Sequence, residues 1–134
     1  GGVCAVQLNA KTLVSAGEDG TVRWWDLDTL TCAWSEARAH RGPIWCLKMF
    51  GDNFVTSSTD GCVKRWTFTS CMDASQTSPM MCSQVFRGHL KGEIWCCDID
   101  GANVFSGGRD CSVCVFDIET GANYLTLKKV CVRY

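Results

Sequence analysis

No sign of charge dominates this chain: 13 basic and 14 acidic residues leave a formal net charge of -1. There is no field to draw in nucleic acid or an anionic membrane, and neither partner is expected. Lys128, Lys129 and Arg133 form the only basic cluster, and it is small. No apolar run approaches the length of a membrane span, and the N-terminus lacks both a basic stretch and the apolar segment of a secretory signal. The first residue is Gly and not Met, so the sequence reads as an excised or processed piece of a longer protein. No Asn-x-Ser/Thr acceptor is present, which agrees with a cytoplasmic or nuclear setting.

Signatures of enzymes are missing too. The chain has no Gly-x-Ser-x-Gly elbow, no phosphate-cradling glycine loop, no His-Glu-x-x-His helix and no EF-hand loop. With two histidines in all, little is left for acid-base catalysis. Cys111-Ser-Val-Cys114 has the spacing of a zinc or redox pair. It starts at a hairpin turn and runs into a strand, where residues three apart point to opposite faces, and no partner pair accompanies it. A metal or redox module is therefore the rival reading from another class, and no cofactor or metal is expected.

What the chain does have is enough apolar content for one ordinary core: 134 residues, 46% of them hydrophobic. The eleven cysteines are many and odd in number. Most, such as Cys46, Cys96 and Cys97, occupy apolar strand positions where Val or Ala would also fit. That pattern suits reduced thiols better than a disulfide framework.

The chain repeats itself. Ser15 to Trp25, Thr56 to Trp66 and Ser106 to Phe116 align on Asp19, Asp60 and Asp110, and the match carries Val3, Ile44 and Ile94 onto one another without a gap. The anchors are 41 and then 50 residues apart, the range of four-stranded propeller blades. Helical repeats of this period would place apolar residues at i, i+3, i+4 and i+7, whereas these segments alternate. Asp-Gly between alternating apolar residues predicts a two-residue hairpin turn in the first two copies. Cys111 replaces that Gly in the third, predicting a strained turn or one of another type. Twelve short strands and no helix are expected, with Gln84 to Phe86 as the outer strand of the second copy. The extra residues between Thr67 and Val85, with Met80-Met81-Cys82 among them, read as an extended outer loop. It is either a tolerated surface insertion or a docking or modification loop.

These residues resemble the WD40 repeat family over essentially the whole chain. The family pattern is Gly-His before the innermost strand, Ser or Thr in the second, Asp in the following turn and Trp-Asp in the third. The second copy supplies His40, Thr56, Asp60 and Trp66, with Ala39 where Gly is usual and Thr67 after the Trp. The third supplies Gly88-His89, Ser106 and Asp110, with Phe116-Asp117 for Trp-Asp, and the first Ser15, Asp19 and Trp25-Asp26. Taken singly, either His is a candidate ligand or base. Their recurrence once per repeat favours a structural hydrogen-bond chain, and Phe116, having no donor, should leave the third chain incomplete.

The resemblance implies an all-β, WD40-type propeller segment of about three four-stranded antiparallel blades, an incomplete ring. The repeats span about 1–41, 42–91 and 92–129, with 130–134 like the start of a further blade. Three blades cannot close by themselves, so further blades of a parent chain or further copies of this one complete the ring. The implied function is a non-catalytic scaffold or adaptor binding proteins or peptides, and substrate receptors of ubiquitin ligases are among the roles such proteins serve. The implied binding face gathers Gly2, Pro43 and Glu93, then Cys4, Trp45 and Trp95, and the turn residues Glu18, Thr59 and Arg109. Trp45 and Trp95 are either rim anchors or indoles packed between blades.

Overall fold

The computed structural model describes residues 1–68, 80–89 and 92–128. The described residues form twelve strands in three four-stranded antiparallel sheets, each built from consecutive strands and none containing a helix. The first sheet holds β1 (Val3–Leu8), β2 (Thr12–Gly17), β3 (Val22–Asp26) and β4 (Thr31–Glu36). The second holds β5 (Ile44–Phe50), β6 (Asn53–Ser58), β7 (Val63–Phe68) and β8 (Met80–Phe86). The third holds β9 (Ile94–Ile99), β10 (Asn103–Gly108), β11 (Ser112–Asp117) and β12 (Asn123–Lys128).

Two readings change. Met80, Met81 and Cys82 belong to the outer strand β8 and not to a loop, because Met80 is buried against the core shared with the first sheet. A segment rich in Ser and Thr with one Pro masks that strand's start when only local composition is read. The rest of the expected outer loop, and the stretch read as the start of a further blade, lie outside the described residues.

The hairpin turns also differ from the expected two-residue type. In the first sheet Gly20 N–H donates to the Gly17 carbonyl at 3.2 Å and Gly17 N–H to the Thr21 carbonyl at 3.1 Å. This is the three-residue connection in which an ordinary turn is followed by one left-handed residue. Only that last position has positive φ: 74° at Gly20, 82° at Gly61 and 58° at Cys111. The third turn is thus of the same kind as the others, with a side chain placed where glycine is cheaper. Each Asp carboxylate accepts the backbone N–H two residues on, from Thr21, Cys62 and Ser112, at 3.0, 3.0 and 3.1 Å. That bond selects Asp at this position in all three turns.

Two apolar clusters join the sheets. One binds the first sheet to the second through Val14, Val22, Ile44, Leu47, Phe54 and Trp66. The other binds the second to the third through Val55, Val63, Phe86, Ile94, Val104 and Phe116. Full burial of each such side chain contributes about 1.5 to 3 kcal/mol before entropy is charged against it. Because the second sheet is covered on both faces, β6 reads as apolar or small at every position. Both clusters involve the second sheet and neither joins the third to the first, so the sheets make an open arc. Large apolar side chains are exposed on the two outer sheets, at Val3, Val6 and Leu8 in β1 and Tyr124, Leu125 and Leu127 in β12.

Candidate functional site

Each sheet carries polar groups of a relay from turn to core, continuous in the second and third sheets and broken in the first. In the second sheet Trp66 Nε1 donates to Thr56 Oγ1 at 3.0 Å, Thr56 Oγ1 lies 2.7 Å from His40 Nε2, and His40 Nδ1 lies 2.9 Å from Asp60 Oδ2. With the indole as donor, one assignment satisfies every group: the Thr56 hydroxyl donates to Nε2 and the Nδ1 proton goes to the carboxylate. Backbone N–H groups of Arg41 and Cys62 complete the Asp60 shell at 3.1 and 3.0 Å. Burial alone would raise the Asp60 carboxyl, but its bond to His40 and these N–H groups outweigh it and hold the pKa at about 2.

The third relay lacks a donor at its inner end, where Phe116 packs on Phe86 with ring centroids 5.2 Å apart. His89 Nε2 sits 2.8 Å from Ser106 Oγ and Nδ1 2.9 Å from Asp110 Oδ1. Ser112, which sequence reasoning missed, joins at the outer end, with its hydroxyl 2.6 Å from Asp110 and 3.0 Å from His89 Nδ1. Its signal was its place two residues after the anchor Asp, where the other copies have Thr21 and Cys62. In the first sheet Trp25 Nε1 donates to Ser15 Oγ at 2.9 Å, and Asp19 accepts only from Thr21 among the described residues.

A hydroxyl, an imidazole and a carboxylate in line invite comparison with a hydrolase triad. Thr56 is fully buried and its oxygen already accepts from an indole, so no substrate carbonyl can approach it. These relays hold each turn to its sheet.

The same turns build a rim at one end of the arc. Glu18 N–H donates to the Gly2 carbonyl at 2.9 Å, Thr59 N–H to Pro43 at 3.1 Å and Arg109 N–H to Glu93 at 2.9 Å. One repeated backbone bond thus joins each of these turn residues to the residue before an innermost strand. Just beyond it each innermost strand bulges: register slips between Val3 and Ala5, between Ile44 and Cys46, and where Ile94 and Cys96 face Gly108 and Gly107. The extra residues are Cys4, Trp45 and Trp95. A bulge breaks the alternation and re-aims its side chain, and here it turns two indoles out of the sheet packing. Trp45 is 42% exposed and Trp95 53%. Trp95 Nε1 donates to Glu93 Oε2 at 3.0 Å, and Glu93 Oε1 lies 4.0 Å from the exposed Arg109 guanidinium. The Trp45 indole N–H has no partner among the described residues.

The opposite end has a cleft of about 450 Å³ between the first and second sheets, lined by Asn9, Lys11, Trp24, Met49, Phe54 and Phe68 among others. Sequence reasoning did not reach it, because its walls come from two repeats. Of the suspected zinc or redox pair, Cys111 occupies the turn while Cys114 is fully buried in β11. Among the described residues no three or more His, Cys, Asp or Glu are placed to hold a metal.

Three stacked four-stranded sheets with one relay and one rim position each are matched by the model of the WD domain, G-beta repeat, over residues 1–26, 31–67 and 80–117. The chain belongs to the WD40 repeat family. Among curated relatives, these WD40 repeats are 26% identical over 118 residues to telomerase protein component 1 of Rattus norvegicus, covering 85% of this chain and 4% of the relative. The F-box/WD repeat-containing protein sel-10 of Caenorhabditis elegans is 44% identical over 62 residues, 46% of this chain and 10% of its own. Eukaryotic translation initiation factor 3 subunit I of Bombyx mori is 49% identical over 45 residues, 32% and 13% respectively. The chain therefore spans only a small part of the length of each of these relatives.

Proposed function

We propose that this WD40 segment is a protein-binding platform without catalysis of its own, and that its rim captures a peptide segment of a partner protein. The carrying observation is the repeated bulge that presents Trp45 and Trp95 on the same end of neighbouring blades. Rigid aromatics offer large contact area at little entropy cost, and the Glu93 and Arg109 charges beside them give the polar border of such a site. A balanced surface charge favours a protein partner over nucleic acid or a membrane, in a cytoplasmic or nuclear setting.

Selection of peptides from a random displayed library on the intact chain tests this. Selected peptides should lose at least tenfold in affinity to Trp45→Ala and to Trp95→Ala, while both variants keep the parent's melting temperature. Peptides whose binding ignores both substitutions would place recognition elsewhere, and collapse of folding in both would make the indoles core residues.

A finer reading, a substrate-receptor segment of a ubiquitin ligase complex, is favoured by the 44% identity to a protein whose name carries an F-box. It requires an F-box in the same polypeptide or in a stable partner. Co-purification of the native protein without one would remove it.

A further inference from the structure

Among the described cysteines two converge across the boundary between the second and third blades. Cys46 follows the bulged Trp45 in β5, and Cys97 lies two residues after Trp95 in β9. Cys46 Sγ is 3.4 Å from the Cys97 carbonyl oxygen, and Cys97 Sγ points back into the second blade, 3.9 Å from the Val55 carbonyl. The two side chains thus lie against each other across the blade boundary. From this contact a disulfide requires the two sulfurs to rotate toward each other. Neighbouring Cys96 faces the other way, its Sγ 3.7 Å from the Gly107 carbonyl of its own sheet.

We propose that Cys46 and Cys97 are a peroxide-sensitive thiol pair, closing a disulfide that staples the second blade to the third directly beneath Trp45 and Trp95. Cys46 is the thiol oxidised first, because it is partly exposed while Cys97 is 5% exposed. Its thiolate attacks one oxygen of hydrogen peroxide and the O–O bond breaks, giving a sulfenic acid and releasing the other oxygen as hydroxide, which is protonated to water. The Cys97 sulfur then attacks the Cys46 sulfur. The S–O bond breaks, the hydroxyl leaves with the Cys97 proton as a second water, and two thiols have been oxidised while one peroxide is reduced.

The surroundings favour this division of roles. Its contacts with Cys97, and after them the Lys48 charge, draw Cys46 below the usual thiol range against the opposing effect of its burial. Cys97 is pushed up by the Cys46 sulfur and by burial, so it stays protonated until a sulfenic acid forms beside it.

The test uses the reduced 134-residue chain, treated with stoichiometric hydrogen peroxide, alkylated, digested without reductant and analysed by mass spectrometry with fragment-ion localisation. The expected product is a cross-link of Cys46 to Cys97 in most of the chain. It should persist in Cys96→Ser and vanish in Cys46→Ser and Cys97→Ser. A second readout needs no variant: the oxidised parent should unfold at a higher urea concentration than the reduced one, and dithiothreitol should reverse the shift. Oxidation of the exposed Cys32 with Cys46 and Cys97 still free would make the pair mere packing. A cross-link localised to Cys96 would overturn the assignment of the resolving thiol.

Discussion

Substituting the anchor aspartates one at a time separates the three relays, because each carboxylate holds a different number of buried groups. Asp60→Ala removes the acceptor for His40 Nδ1 and for two backbone N–H groups, and the His40 side chain is fully buried. An orphaned buried donor costs about 1 to 3 kcal/mol, and a hydrogen bond open to water about 0.5 to 1.5. The Arg41 N–H is exposed enough to take water, whereas His40 Nδ1 and the N–H of buried Cys62 are not. Two buried orphans and one bond open to water add to about 2.5 to 7.5 kcal/mol. In Asp110→Ala the Ser112 hydroxyl remains 3.0 Å from His89 Nδ1 and keeps it partnered, so the loss should be about 1 to 2 kcal/mol. Asp19→Ala frees only the Thr21 N–H at an exposed turn and should cost below about 1 kcal/mol. Urea unfolding followed by tryptophan fluorescence reads these directly. With a slope of about 2 kcal/mol per molar, Asp60→Ala should lower the midpoint by at least about 1 M and Asp19→Ala by less than about 0.5 M. An unchanged midpoint for Asp60→Ala, or an equal loss for Asp19→Ala, would refute the relay as the source of turn stability.

The same carboxylate sets an acid limb. Its folded pKa of about 2 lies below the ordinary 3.8, so its stabilisation is complete above about pH 4 and is lost as pH falls through about 2. Between those values the parent's urea midpoint should fall more steeply than that of Asp60→Ala, and parallel curves would contradict the argument. Cys111→Gly should raise the urea midpoint by the equivalent of about 0.5 to 1 kcal/mol, since the residue sits at φ 58° where the other repeats have glycine. A lower midpoint would mean that the Cys111 side chain is holding the turn. Exposed apolar side chains on β1 and β12 suit blade-to-blade packing, and light scattering behind a sizing column should find the isolated chain as a discrete dimer. A stable monomer with a sharp melt would show instead that the open arc is sufficient in itself.

Much of this protein was legible locally. Strand alternation, the Asp of each turn and the near-continuous apolar run at Ile44 to Leu47 are properties of neighbouring residues, and they determined three repeats of four strands, while the resemblance to WD40 repeats supplied which His, Thr and Asp belong together. Composition misled at Met80 to Cys82, where burial against the first blade and not local preference makes the strand. Turn type was decided by hydrogen bonding across the hairpin, which allows a single left-handed residue after Asp. Ser112 entered its relay because its hydroxyl reaches both His89 and Asp110, two residues beyond the anchor Asp. The outward turn of Trp45 and Trp95 was not legible, since a bulge exists only relative to the strand it pairs with. Nor was the meeting of Cys46 with Cys97, 51 residues apart along the chain. A contact between blades leaves no periodic trace in either, and it arises only when the sheets stack.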